Sequence, residues 1–118
     1  MAPFDVQAIR NVNSLKGEVT PEEWSTRVDL AACYRLVRSS GWNMNIFNHV
    51  SARVPGEPEY FLIKAHALLW DEVTASNLVK VNMNEEIDEG SLVNRPGFVL
   101  HSAILRERHD VNAVVHIH

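Results

Sequence analysis

The chain of 118 residues is 46% hydrophobic and 22% charged, a composition typical of one globular domain. Its net charge of −4, with no basic stripe among its 11 Lys and Arg residues, argues against binding to nucleic acid. No apolar run approaches the roughly 20 residues of a membrane span, no signal-peptide pattern is present, and the single cysteine, Cys33, cannot form an intrachain disulfide. A cytoplasmic protein with no membrane partner is therefore expected.

The first strong signal along the chain is a helix start at Thr20. Thr20 is the predicted N-cap, Pro21 the first helical residue, and Glu23 the partner of Thr20 in a capping box. The helix is expected to end at Gly41 in a left-handed conformation. Its apolar residues recur at helical spacing and predict an amphipathic helix: Trp24, Val28, Ala31, Ala32, Tyr34, Leu36 and Val37.

Three strands are predicted next. Residues 46–54 alternate between apolar and polar and are followed by a turn at 55–58 and a second strand at 60–64, which together indicate a hairpin. In the first of these strands His49 and Ser51 share a face. A single helical turn capped by Thr74 then precedes a third strand at 79–83. The acidic run at 85–89 lacks the spacing of a calcium loop and is interpreted as a solvated turn.

A second long helix is predicted over residues 98–108, after a loop at 94–97, and a final strand follows it. That strand ends in His116-Ile117-His118. Because residues i and i+2 of a strand point to the same face, both imidazoles would reach one point, as a pair of metal ligands does. The alternative is that both are solvated polar residues. His101, on the second helix, either faces the same site or serves in helix packing.

The order helix, three strands, helix, strand predicts an α/β or α+β domain in which helices cover a sheet. Residues 1–19 show no sustained hydrophobic period and are interpreted as an N-terminal extension, so the domain itself spans residues 20–118. The final strand stops without a turn or a polar tail. The chain is therefore expected to be the front part of a longer, truncated domain.

Five stretches taken together resemble the class II aldolase/adducin family. They occur in collinear order at residues 27–36, 48–53, 70–79, 94–104 and 114–118. The resemblance runs from about residue 19 to residue 118 and includes the loop Asn94-Arg95-Pro96-Gly97-Phe98, which is similar to the adducin-like branch. It implies a three-layer α/β/α sandwich around a mainly antiparallel sheet, assembled as a homotetramer with sites at subunit interfaces.

The resemblance also implies a metal site and a substrate site. His116 and His118 match the histidine pair with which the family's aldolases hold zinc, or another divalent metal, and the third ligand is expected beyond residue 118. The candidate substrate-binding residues are Asn48, His49, Asn94 and Gly97, and the alternative for Asn48 and His49 is a hydrogen-bonding role at the strand end. No catalytic residue is assigned.

The chain departs from the aldolase pattern at two kinds of position. Gly97 stands where the aldolases carry a proton-transferring glutamate. Asn48-His49 replaces a Gly-Asn pair, and His66-Ala67 replaces a Thr-Gly pair, so elements that grip phosphate are lost. The resemblance and the histidine pair imply a metal-dependent aldolase, a carbon–carbon lyase, acting on a small hydroxylated carbonyl or sugar-like substrate, and the missing phosphate-binding elements indicate that this substrate is not phosphorylated. Gly97 counts against aldolase activity. The alternative is a non-catalytic, adducin-like oligomerisation or protein-interaction domain.

Overall fold

The computed structural model describes residues 6–43, 48–87 and 91–117 of the chain. In chain order the elements are α1 (Val6–Arg10), α2 (Pro21–Ser39), β1 (His49–Val54), β2 (Glu57–Ile63), a 3₁₀ helix (Trp70–Glu72), β3 (Val79–Asn82), α3 (Arg95–Glu107) and β4 (Ala113–His116). Among the described residues, no helix has the length and apolar character needed to cross a membrane.

The strands form one sheet in the order β3-β2-β1-β4. Every neighbouring pair in it is antiparallel, and β1 lies between β2 and β4. In the register of β1, Ser51 lies opposite Ile63 of β2, and His49 lies opposite His116 of β4. The predicted hairpin and antiparallel sheet are confirmed, and the register places a histidine from each of β1 and β4 side by side.

The sheet is covered by a helix on each face. Leu62 of β2 and Val50 of β1 are buried in one core cluster with Tyr34 of α2. The neighbouring residue Phe61 points to the opposite face and packs in a second cluster with Phe98 of α3. Because successive residues of a strand alternate between faces, the two clusters separate cleanly. The predicted three-layer α/β/α arrangement is confirmed.

Helix α2 begins as predicted but buries only part of the predicted apolar face. The Thr20 hydroxyl accepts a hydrogen bond from the Glu23 N–H at 3.0 Å, and Gly41 ends the helix region with φ of 74°. The Glu23 side chain does not complete the capping box, because its carboxylate pairs with two cations. Val28 and Leu36, predicted as part of the apolar face, are 44% and 66% exposed. Of the predicted residues, Ala31, Tyr34 and Val37 are buried, and the rest of the buried face consists of Glu23, Arg27 and Leu30.

Two boundaries differ from the sequence prediction. Strand β2 begins at Glu57, because the hairpin turn is confined to Pro55-Gly56 and Gly56 adopts φ of 81°. Helix α3 begins at Arg95, within the segment predicted as a loop, because the Asn94 side chain caps it and a proline is tolerated in a first helical turn. Residues 46–47 of the first predicted strand lie outside the described residues.

The segment before α2 contacts the domain. Ile9 of α1 packs against Ala65 and Leu68. Arg10 forms an ion pair with Glu72, and the Leu15 N–H donates to the Ser76 hydroxyl at 3.1 Å. The division of the chain into an extension and a domain at residue 20 remains a prediction.

Candidate metal and substrate site

Three histidines meet on the α3 face of the sheet. His49 is the first residue of β1, His116 is the last residue of β4, and His101 lies in the middle of α3. The ring centroids of His49 and His116 are 5.3 Å apart in a stacked arrangement. Those of His49 and His101 are 5.1 Å apart, edge to face. We call His49, His101 and His116 the histidine cluster.

Local structure explains why these side chains converge. His49 and Ser51 share a face of β1, and the antiparallel register adds His116 from the next strand. His101 belongs to the buried stripe of α3, together with Phe98, Ser102 and Leu105. Each of these residues lies three or four positions from another, so all four share one side of the helix. Packing this stripe on the sheet brings His101 over Ser51. His101 therefore serves in helix packing and also joins the site.

A chain of hydrogen bonds links α3 to β1. The Ser51 Oγ lies 2.5 Å from Nδ1 of His101, and Nε2 of His101 lies 3.2 Å from Nδ1 of His49. Ser51 and His101 are fully buried, whereas His49 is half-buried. The sequence pattern predicted that His49 and Ser51 share a face and left open whether His101 faces the site, but it did not predict the hydrogen bonds that join the three residues.

Burial keeps the two central imidazoles neutral. Desolvation, reinforced by the nearby His116, Lys64 and His66, lowers the pKa of His49 to about 4. Desolvation and the charges of His49 and His116 lower the pKa of His101 to about 4 as well. A neutral imidazole offers one N–H donor and one lone pair, so each ring can donate one hydrogen bond and accept one, or bind a metal.

Gly97 lies directly against His49. The Asn94 Oδ1 accepts the Gly97 N–H at 3.0 Å and so caps α3. A Cβ atom on residue 97 would lie 2.5 Å from that Oδ1, and 3.0 Å from both Cδ2 and Nε2 of His49. The imidazole of His49 therefore fills the space that a side chain on residue 97 would enter.

Asn48 turns the chain into β1 through an unusual backbone conformation. Its φ is 67°, in the left-handed region that asparagine tolerates better than most residues. The side chain is 5% exposed, and its Oδ1 has no hydrogen-bond partner within the described ranges. A buried carbonyl oxygen of this kind is available to a donor that enters the site.

Two residues for which the sequence predicted no role at the site, Tyr34 and Lys64, support its β1 end. The buried Tyr34 hydroxyl donates to the Val50 carbonyl, and it accepts the Val50 N–H at 2.9 Å and the Lys64 N–H at 3.1 Å. The Lys64 ammonium donates to three backbone carbonyls in the turn that follows β2. Burial lowers the pKa of Lys64 to about 8, against an opposing effect of Glu72.

The predicted site residues thus fall in one region. Asn48, His49, Asn94 and Gly97 surround the junction of β1 with the first turn of α3, and His116 lies beside His49. His118, the other predicted metal ligand, lies outside the described residues. Within residues 6–43, 48–87 and 91–117, no three His, Cys, Asp or Glu side chains are grouped closely enough to hold a metal.

One cavity lies away from the histidine cluster. It has a volume of about 530 Å³ and is lined by Arg53 and Leu105 among others, at the end of β1 opposite to His49. Its wall includes none of the predicted site residues.

Residues 28–118 match the model of the Class II Aldolase and Adducin N-terminal domain. The chain belongs to this family. The match covers most of the chain, and it includes α2 from Val28 onward, the whole sheet and the histidine cluster.

Curated members of the family fall into two groups. A protein of Caulobacter vibrioides named "Putative aldolase class 2 protein" is 46% identical over 107 residues, which cover 89% of this chain and 42% of that protein. Alpha-adducin of Rattus norvegicus is 48% identical over 115 residues, covering 91% of this chain and 16% of the adducin. The chain thus spans less than half the length of these relatives.

Solved structures confirm the fold. An aldolase II superfamily protein from Pseudomonas syringae is 51% identical with a TM-score of 0.81, over 90% of this chain and 44% of that one. An L-fuculose 1-phosphate aldolase from Glaciozyma antarctica PI12 is 26% identical with a TM-score of 0.71, over 96% of this chain and 47% of that one. The chain thus shares the fold of the matching part of these two structures.

Proposed function

We propose that this chain forms the N-terminal part of a metal-dependent aldolase that cleaves a carbon–carbon bond in a small hydroxylated carbonyl or sugar-like compound. The observation that carries the proposal is the histidine cluster at the sheet end, in a family that includes an L-fuculose 1-phosphate aldolase. Imidazole nitrogens are ligands that zinc prefers. The proposed location of the protein is the cytoplasm, and its proposed assembly is a homotetramer.

The metal would be held by His116 and His118. The donor chemistry fits zinc in part, because His116 lies at a strand end among imidazoles that burial keeps neutral, and only a neutral imidazole can ligate. The remaining ligand is proposed to come from chain beyond residue 118, since catalytic zinc usually has three protein ligands. When bound, the metal would act as a Lewis acid that polarises a carbonyl oxygen.

The chain's own residues supply orientation. Asn94 and Gly97 form the first turn of α3, and the absence of a side chain on Gly97 leaves His49 in contact with that turn. Asn48 adds a buried carbonyl oxygen. These groups are proposed to bind the hydroxyl and carbonyl oxygens of the substrate. Since Asn48 and His49 fill the position of a Gly-Asn pair in phosphate-binding aldolases, an unphosphorylated substrate is proposed.

A second function is supported by the contacts of Gly97. An aldolase of this kind is expected to place a carboxylate there, and a Cβ at this position meets Asn94 and His49 at 3.0 Å or less. The 48% identity to alpha-adducin is consistent with an adducin-like oligomerisation or interaction domain that performs no catalysis. This alternative explains Gly97 but gives His116 and His118 no function.

The deciding measurement is the ratio of zinc to chain in the purified protein, determined by elemental mass spectrometry. About one zinc per chain is expected, with the zinc lost in a His116→Ala, His118→Ala double variant. His109→Ala, which removes an exposed histidine in the turn before β4, is the matched control and should retain zinc.

Activity is tested on L-fuculose with and without a 1-phosphate group, by detecting the carbonyl products of cleavage. Faster cleavage of the unphosphorylated sugar is expected. A protein that binds no zinc after reconstitution, or that binds zinc and cleaves neither compound, would support the adducin-like function.

A further inference from the structure

The Ser51 hydroxyl lies at one end of the hydrogen-bond chain that runs through His101 to His49. Ser51 is fully buried, and its Oγ contacts Nδ1 of His101 at 2.5 Å. Across the part of the chain that the structure describes, this is the one hydrogen bond of the Ser51 side chain. A hydroxyl has one hydrogen to donate, and a buried hydrogen without an acceptor is costly.

Two proton arrangements satisfy the distances. In the first, Ser51 donates to Nδ1 of His101, and His101 then donates from Nε2 to Nδ1 of His49. In the second, each hydrogen bond runs in the opposite direction: Nδ1 of His49 donates to Nε2 of His101, and Nδ1 of His101 donates to the Ser51 Oγ. The second arrangement leaves the Ser51 hydrogen buried with no acceptor among the described residues. The first leaves no hydrogen of Ser51 or His101 unpaired, and is therefore favoured.

The favoured arrangement determines the state of His49. Its Nδ1 accepts from His101, so in a neutral ring the hydrogen must be on Nε2. That Nε2 lies beside Gly97, 3.0 Å from the position that a Cβ atom on residue 97 would take. His49 thus presents an N–H donor, and not a lone pair, toward the site.

We propose that His49 donates a hydrogen bond from Nε2 to a carbonyl or hydroxyl oxygen of the substrate, and that Ser51, acting through His101, holds it in this tautomer. The proposal rests on the proposed aldolase function and gives its substrate a specific protein contact. His49 is therefore a substrate-binding residue and not a metal ligand, since a ligating nitrogen needs its lone pair. Ser51 and His101 are positioning residues.

Gly97 contacts the same ring. A Cβ atom there would lie 3.0 Å from the donating Nε2. A side chain at residue 97 would therefore press on the edge of the ring that carries this donor. The absence of a side chain at Gly97 thus leaves the His49 ring in its place.

The tautomers can be measured directly. Long-range ¹H–¹⁵N correlation spectra of the histidine-labelled full chain at pH 7 report which nitrogen of each ring carries the hydrogen. Both His49 and His101 are expected as the Nε2–H tautomer. Observation of His49 as the Nδ1–H tautomer would overturn the proposal. This result does not depend on zinc, so it is separable from failure of the aldolase function.

Variants of two buried serines, Ser51 and Ser102, test whether the Ser51 hydroxyl sets the tautomers of His101 and His49. Ser51→Ala removes the donor and should convert His101 and His49 to mixtures of tautomers. Ser102→Ala is the matched control: it is 1% exposed, its Oγ has no hydrogen-bond partner in the described chain, and both rings should keep the Nε2–H form. Unchanged tautomers in Ser51→Ala would refute the positioning role of Ser51.

Substrate contact is tested with hydroxyacetone, an unphosphorylated hydroxyketone, by chemical-shift titration. His49→Phe keeps a ring of similar size and should weaken binding by about tenfold, as expected for one hydrogen bond, whereas His109→Phe should leave it unchanged. A lack of hydroxyacetone binding to the wild type, or equal binding to His49→Phe, would overturn the proposed contact.

Discussion

Gly97 illustrates how the site depends on a single missing methyl group. Its amide completes the Asn94 cap, while its lack of a side chain makes room for the His49 ring. The same small residue therefore serves the stability of α3 and the shape of the site. Substitution there should affect both at once.

Gly97→Ala is predicted to lower the free energy of unfolding by about 1–3 kcal/mol, the usual cost of overpacking. The new Cβ would meet Asn94 and His49, and the Asn94 cap must shift by several tenths of an ångström. Urea denaturation followed by circular dichroism measures the change.

The double variant Gly97→Ala, His49→Ala provides the control. Removing the imidazole relieves the contacts at 3.0 Å but not the contact with Asn94, so the two changes should be non-additive. Strict additivity would show that residue 97 does not press on His49.

At the level of elements, a buried ionic cluster joins the start of α2 to the sheet. The Glu23 carboxylate accepts from Arg27 Nε at 2.8 Å and from Lys80 Nζ at 3.0 Å. Arg27 also donates to the Ala75 and Leu78 carbonyls. The cluster explains why α2 turns two charged residues inward, which a hydrophobic pattern does not anticipate.

Glu23→Gln is predicted to reduce stability at pH 7 by about 1–3 kcal/mol, the range for hydrogen bonds to charged groups. Burial raises the pKa of Glu23, but Arg27 and Lys80 outweigh this effect and hold the pKa below the usual 4.5. A carboxylate with a depressed pKa stabilises the fold above pH 4.5, and that stability is lost as the pH falls through the folded-state pKa.

Stability measured as a function of pH tests the direction of the Glu23 pKa shift. Wild-type stability should fall between pH 5 and pH 3 more steeply than that of Glu23→Gln, measured as urea midpoints at a series of pH values. Glu22→Gln, which alters an exposed neighbour, should keep the wild-type profile. Parallel profiles for Glu23→Gln and the wild type would contradict the role of the cluster.

At the level of the whole molecule, β4 is an edge of the described sheet. It pairs with β1 on one side, and its Val115 is 55% exposed. An exposed apolar edge strand promotes association, because its free backbone groups and side chains can pair with another chain. The 118-residue chain is therefore predicted to self-associate.

Val115→Lys should shift the 118-residue chain toward monomer in sedimentation velocity experiments over a range of concentrations. The positive charge on an edge strand disfavours strand pairing. Val99→Lys is the matched control, since Val99 is 54% exposed but lies on α3, and it should associate like the wild type. A wild-type chain that is monomeric throughout would contradict this prediction.

The sequence by itself determined the local elements and the family. The Thr20 cap, the hairpin of β1 and β2, and the His-x-His strand are local patterns that tertiary packing did not need to define. The strand alternation and order of elements were enough for the layered fold. The buried face of α2 was predicted only in part, because Ala31, Tyr34 and Val37 are buried as expected but the paired charges of Glu23 and Arg27 are buried with them.

Only the tertiary structure decided how the site is built. Ser51 and His101 are 50 positions apart, and His101 and His49 are 52 apart, so their hydrogen bonds exist only because α3 packs on β1. The contact of His49 with Gly97 depends on the same packing. Side-chain periodicity reports the face on which a residue lies, but not which distant residue meets it there, because that is set by the register of β1 with β4 and the docking of α3.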